Sequence, residues 1–213
     1  GSSKDEMAKL AAQARELGST TKFKVTEAGE AMTYLGMAGW KTEQILGGMP
    51  GLLNLAAASG TDLALTADIV SDGMTALGLT AGTKIPNAFG KMVDSTTHFA
   101  DVMAAASSNA NTNVQMMGET FKYAASTAGA LGYSIDDLGL ATGLMANAGV
   151  KGSQAGTALR AIFTRMATET DSASQAMHML GISMTEVGAD GKEKMKSFTK
   201  VIQEMRSAFK QVD

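Results

Sequence analysis

The chain has 213 residues, a net charge of -3, 45% hydrophobic residues, 24 Gly, 16 Met and no Cys. That length buries a real core, a mean hydropathy of +0.01 argues against disorder, and the missing Cys excludes disulfides and thiolate metal sites. Lys and Arg are dispersed, with a modest concentration between Lys192 and Lys210, which argues against a nucleic-acid binder needing clustered phosphate contacts.

Gly1-Ser2-Ser3 reads as an expression-tag scar (residues 1–3), and the chain as a segment of a larger protein. Residues 4–17 place Met7, Leu10, Ala11, Ala14 and Leu17 on one helix face, with Gly18 as a left-handed stop. This helix and its connector occupy 4–25, ahead of a helical domain over 26–213. A second helix spans about Glu27 to Ala38. Thr42 caps a third, which Gly47-Gly48 and Pro50 interrupt before it ends near Gly60. Its uncharged stretch, between Glu43 and Asp62, is too broken for a bilayer span and reads as core.

Thr61 and Asp62 open a helix to about Leu77. Residues 79–87 form the longest loop, followed by a helix from Phe89 to Ser107. The polar run 107–113 caps a helix to about Ala130. Ser134 and Asp137 form a capping-box-like pair for a helix to about Ala148. Ser153 caps a helix to about Ala167, and Ser172 with Gln175 marks a short one ending at Gly181. A small hairpin over 182–195, turning at Ala189-Asp190-Gly191-Lys192, precedes a last helix from Met195 to Val212. The fold class is therefore all-α: a compact bundle of eight to ten short helices with at most one small β-hairpin. Glu30-x-x-x-Tyr34 with Gly39-Trp40-x-x-Glu43 is echoed by Glu119-x-x-x-Tyr123 with Gly132-Tyr133-x-x-Asp136. Duplication (sub-repeats 27–78 and 113–168) and recurrence of common helix-turn chemistry both account for it.

No pattern of catalytic or metal-ligating residues stands out. His98 and His178 are isolated, and Asp94, four residues before His98, is a possible partner for it and no constellation. Asp136 and Asp137 point about 100° apart on a helix and suit its positive N-terminus better than a shared substrate. Glu186 and Asp190 frame a turn. Segment 149–160 has glycines, a Lys and a helix start, but its order departs from a P-loop. Gly152 and Gly156, like Gly139 and Gly143, are four apart and would let neighbouring helices approach closely. No cofactor and no metal is expected.

The string Asn147-Ala148-Gly149-Val150-Lys151-Gly152-Ser153-Gln154-Ala155-Gly156-Thr157-Ala158-Leu159-Arg160 strongly resembles a signature of the phage tail tape-measure protein family. Blocks 52–79, 99–139 and 180–198 resemble further parts of that family's core region, in order. Gly149, Lys151, Gly152, Ser153, Gly156, Thr157, Leu159 and Arg160 are the signature positions, and their role is structural. The resemblance implies a component that sets tail length within the tail lumen of the virion, present in the host cytoplasm during assembly. It implies contacts with the tail tube protein, tail assembly chaperones and tail-tip proteins, and a homo-oligomer in the parent protein. Direct nucleic-acid binding is not expected, and the chain is not expected to be an enzyme. A ruler of about 1,000 Å needs roughly 700 helical residues, so this chain would be a compact module carried by the ruler. The alternatives are a membrane-active module, motivated by 44–60 and 138–150, or a cell-wall-degrading one, both acting during DNA delivery.

Overall fold

A computed structural model describes residues 3–168, 171–188 and 191–210. Its helices begin with α1 (Lys4–Thr20), α2 (Val25–Met37), α3 (Thr42–Ser59) and α4 (Leu63–Ala76). A hairpin follows (β1, Lys84–Pro86; β2, Met92–Asp94), then α5 (Ser95–Asn109), α6 (Val114–Ala130), α7 (Ile135–Asn147) and α8 (Gly152–Ala167). α9 (Asp171–Met179), a second antiparallel hairpin (β3, Thr185–Val187; β4, Glu193–Met195) and α10 (Phe198–Phe209) come last.

The helices form two rows. α2, α4, α6 and α8 lie side by side in one, and α3, α5 and α7 in the other, so each helix packs on the next but one. α1 covers α2 and α3 at one end, and α10 touches α7 at the other. The core between the rows includes Leu35, Met49, Leu52, Val70, Met103, Met117 and the edge-to-face rings of Phe99 and Phe121, 5.8 Å apart.

Small residues set the spacing within a row. A methyl group on Gly129 would lie 2.5 Å from the Leu77 carbonyl oxygen, and one on Gly156 2.5 Å from that of Thr120. α6 therefore meets α4 and α8 at backbone distance, which any side chain there would prevent. In the other row, Gly139 leaves room for Val102, and a methyl on Gly143 would touch Ala110 at 3.4 Å. Close approach at Gly139, Gly143 and Gly156 follows the sequence reading. Gly152 differs: it starts α8 at φ +56° and makes no tight contact.

The helix starts are local. Asp62 accepts from Leu65 N at 2.9 Å, Asn113 from Met116 N at 2.8 Å, and Ser134 and Asp137 form the full box. Thr42 and Ser153 are not caps: Lys41 and Lys151 occupy those positions. In α3, the box is closed by Gln44, whose side chain accepts from Lys41 N at 2.8 Å.

Gly18 does not stop α1. It lies inside the helix, where a methyl would collide with Val25 at 2.5 Å, so the glycine serves the crossing of α1 by the start of α2. Nor do Gly47, Gly48 and Pro50 interrupt α3. Pro50 has no N–H to offer the Leu46 carbonyl, and Gln13 Nε2 from α1 donates to it instead at 2.8 Å. The segment from Phe89 is not helical: 89–94 folds back as a hairpin, and Asp94 caps α5 by accepting from Thr96 N and Thr97 N at 3.1 Å. The all-α class stands, with the hairpin near 182–195 in place and this second one beside it. Of the turn read there, Ala189 and Asp190 lie outside the described residues, as do Gly1, Ser2 and residues 211–213; Met195 belongs to β4, and the last helix starts only at Phe198.

Gly39-Trp40 and Gly132-Tyr133 close their helices identically. Trp40 N donates to Leu35 O at 3.0 Å and Tyr133 N to Ala128 O at 2.9 Å, each after a glycine with positive φ. The same closure occurs at Gly78, Gly149 and Gly181. Beyond this common chemistry, the two segments share the packing of their first helix on their third.

Candidate contact surface

The signature positions gather at the α7–α8 turn. Gly149 takes φ +88° and releases the chain from α7, and Gly152 starts α8. Thr120 Oγ1 of α6 donates to Gly152 O at 3.0 Å, fixing that start against the neighbouring helix. Gly156 and Leu159 are buried toward α6, whereas Ser153, Thr157 and Arg160 are exposed and Lys151 is half-buried. The segment divides into a packing face and a solvent face, and no arrangement of it cradles a phosphate.

His98 does not pair with Asp94, whose carboxylate is occupied as a cap. Its Nε2 lies 2.7 Å from Asp136 Oδ2, joining α5 to α7 across a partly buried contact. Asp137 is buried and does more than cap α7. One oxygen accepts from Ser134 N and Oγ at 3.1 and 2.9 Å, and the other from Phe198 N at 2.7 Å. It thereby fastens the start of α10 to the start of α7. Sequence reading found the helix-terminal role of both aspartates and missed both long-range partners, which lie 38 and 61 residues away.

A cleft of about 830 Å³ opens between the two hairpins, above the α6–α7 turn. Its carboxylates are all engaged. Besides Asp136 and Asp137, Glu193 accepts from Thr185 Oγ1 at 2.6 Å, and Glu186 pairs with Lys200 and, at 3.6 Å, with Lys194. The hydrogen bond from Lys200 holds the Glu186 carboxyl below its ordinary range, and the same bond raises Lys200. Asp190, its expected companion, lies outside the described residues. Each of these described carboxylates is thus held by a hydrogen bond or an ion pair within the fold. Among the described residues, no group of three or more His, Asp or Glu side chains is placed to hold a metal ion.

A hollow of about 360 Å³ between α4 and α6 carries Asp68, Asp72, Glu119 and Lys122 beside Ile69 and Phe121, and two others are more apolar. One of about 720 Å³ runs beneath α1, lined by Met7, Leu10, Met32, Met37, Trp40 and Ile45. Another of about 340 Å³ lies between α5 and α7. Exposed Met and aromatic side chains are spread over the surface, including Met37, Phe89, Met179 and Phe209. No described helix is long and apolar enough to cross a membrane. The segments 44–60 and 138–150 fall mostly on α3 and α7, each with one buried face and one exposed.

The sequence profile of a family described as phage-related minor tail protein matches residues 11–213. The tape measure protein of Pneumococcus phage Dp-1 is 36% identical over 190 residues, covering 89% of this chain and 16% of that protein. The probable tape measure protein of Escherichia phage P2 is 27% identical over 204 residues, covering 96% of this chain and 23% of that protein. The chain thus spans less than a quarter of either relative. No solved structure matches it significantly.

Proposed function

This chain belongs to the phage-related minor tail protein family, and we propose that it is a folded module of a tape-measure protein, a structural component of the phage tail. The observation that carries this reading is the similarity to two tape measure proteins along nearly the whole chain. The module works by contact and not by catalysis. Its partners are other tail components: the tail tube protein, the assembly chaperones and the tail-tip proteins, with copies of the parent associating side by side. It reaches the tail lumen after assembly in the host cytoplasm.

The parent sets tail length, but this module does not measure it. The longest helix among the described residues has 18 residues, which at 1.5 Å per residue spans only about 27 Å before the chain doubles back. The module is a compact body carried by the ruler. Within the signature, Gly149, Gly152, Gly156 and Leu159 hold α8 against α6, while Lys151, Ser153, Thr157 and Arg160 lie on the side open to partners. Duplication, α2–α4 and α6–α8, and recurrence of one helix-turn pattern both account for the body, in which α3 on α5, α4 on α6 and α5 on α7 pack in the same way.

Cross-linking mass spectrometry on purified tails and assembly intermediates tests this reading. Links from this module to tube, chaperone or tip proteins are the expected result. Absence of the chain from tails, or peptidoglycan hydrolysis by the purified module, would overturn it.

A further inference from the structure

We propose that the hollow between α4 and α6 docks a basic amphipathic helix of another tail component, which lays Lys or Arg side chains one turn apart across it. Asp68 and Asp72 of α4 and Glu119 and Lys122 of α6 line this hollow, together with Leu65, Ile69, Ala76 and Phe121. Ile69 and Phe121 are buried, whereas Asp72, Glu119 and Lys122 are exposed and Asp68 is half-buried. The apolar side chains therefore form the floor and the charges the rim. At about 360 Å³ the hollow admits a few side chains and no helix. Nor can a partner backbone settle against its glycines, as α8 does against α6 at Gly156. A methyl on Gly73 would lie 2.7 Å from the Phe99 ring, and one on Gly118 3.0 Å from Ile69. A partner enters through long side chains.

The rim sets three acids against one base. Lys122 Nζ donates to Glu119 at 3.0 Å. That bond, and more weakly the charges of Asp68 and Asp72, raise Lys122 above the ordinary lysine range. Lys122 thus answers one carboxylate, and among the described residues Asp68 and Asp72 accept no hydrogen bond from another side chain. α4 has no Lys or Arg of its own, and like charges four residues apart on a helix repel. Two unanswered carboxylates over an apolar floor fit a side chain with both characters. The aliphatic stem of Lys or Arg lies on the floor while its head reaches the rim. The one-turn spacing of the two aspartates suits bases four residues apart on the partner.

Other occupants fit less well. The acidic rim repels phosphates and anionic lipid head groups. For a bare divalent cation, no group of three ligating side chains converges among the described residues, and the apolar floor offers it nothing. The other hollows lack this match. The one beneath α1 carries both signs, with Glu6 and Lys41, and the one between α5 and α7 has a single acid, Asp136, already paired with His98. This proposal rests on reading the module as a contact-making part of a phage tail, and adds the place and chemistry of one contact.

Carbodiimide coupling, which joins a carboxylate to an amine without a spacer, tests this on purified tails and assembly intermediates. Amides from Asp68 or Asp72 to a lysine of another tail protein are expected, with a second Lys or Arg four residues along that partner. Their yield should fall several-fold as salt rises from about 0.05 to about 0.5 M. An amine-to-amine linker should join Lys122 to the same partner segment, and the double variant Asp68→Asn, Asp72→Asn should lower that link about tenfold. The melting transition of the double variant should match the parent chain, which separates lost docking from lost folding. Coupling of Asp68 and Asp72 only to Lys122 or to lysines of this same module would overturn the site. So would a Lys122 link indifferent to the double substitution, or protection of both carboxylates by calcium alone. Links to tube, chaperone or tip proteins elsewhere on the module, with none through this hollow, would sink this proposal and leave the contact-module reading standing.

Discussion

The helical body from α2 to α8 and the piece from β3 to α10 are held by different physics. In the body, backbones of neighbouring helices meet at Gly129 and Gly156, and large side chains fill the space between the rows. Among the described residues, the C-terminal piece meets the body through a buried polar contact, Phe198 N to Asp137, and a ring contact, Phe198 against Phe163 at 5.9 Å. Val201 and Ala208 add modest burial. Met195 and Ile202 pack against the core from outside, and the charge pairs Lys196–Glu204 at 2.7 Å, Lys194–Glu186 at 3.6 Å and Lys200–Glu186 all lie within the piece. Such pairs contribute little and weaken with salt. The body is sterically specified and unforgiving; the C-terminal piece is latched on and separable.

The strongest blow to the body is Gly156→Ala. Its methyl would meet the Thr120 carbonyl and Tyr123 Cβ, at 2.5 and 2.8 Å, and neither atom can swing away as a flexible side-chain end would. A loss of about 3 kcal/mol in urea unfolding is expected. A loss near zero would mean that α6 and α8 are not held at backbone distance.

Asp137→Ala strikes the latch. It leaves the buried Phe198 N–H and the Ser134 donors without their acceptor, for an expected loss of about 2 kcal/mol. Hydrogen exchange would show the loss concentrated in α10, with α4 and α6 little affected. Equal deprotection of both regions would break the contrast.

Tyr133→Phe has the smallest effect and the opposite sign. The Tyr133 ring lies 4.7 Å from that of Phe163, and its hydroxyl is buried with no hydrogen-bond partner among the described residues. Removing it should stabilise the protein by about 1 kcal/mol. Burial, and then the Asp137 charge, push this phenol from 10.0 up to about 12. The unfolded chain therefore ionises first, and the stability linked to a neutral Tyr133 is complete below pH 10 and drains away between pH 10 and 12. Tyr133→Phe should flatten the melting-temperature profile in that window; an unchanged slope would contradict the assignment.

What could be read from the sequence was local. Asp62, Asn113 and the Ser134–Asp137 box announce their helices because a cap and its targets lie within three residues. The missed features depend on partners far along the chain. Pro50 signals a carbonyl in need of a donor, but nothing near it names Gln13, 33 residues earlier, as the side chain that supplies it. The 84–94 hairpin was hidden because Asn87 fixes the turn with its side chain, leaving no alternation long enough to read as strands. The signature was recognisable as a pattern, yet only the packed structure gives the reason for Gly156: the carbonyl of Thr120, supplied by another helix.

The contrast between body and latch is most directly tested by native-state hydrogen exchange, amide by amide, on the unmodified chain. Amides of α4, α6 and α8 should open only with global unfolding. Those of β4 and α10 should exchange through a local opening of distinctly lower free energy. A single opening free energy shared by both regions would contradict it.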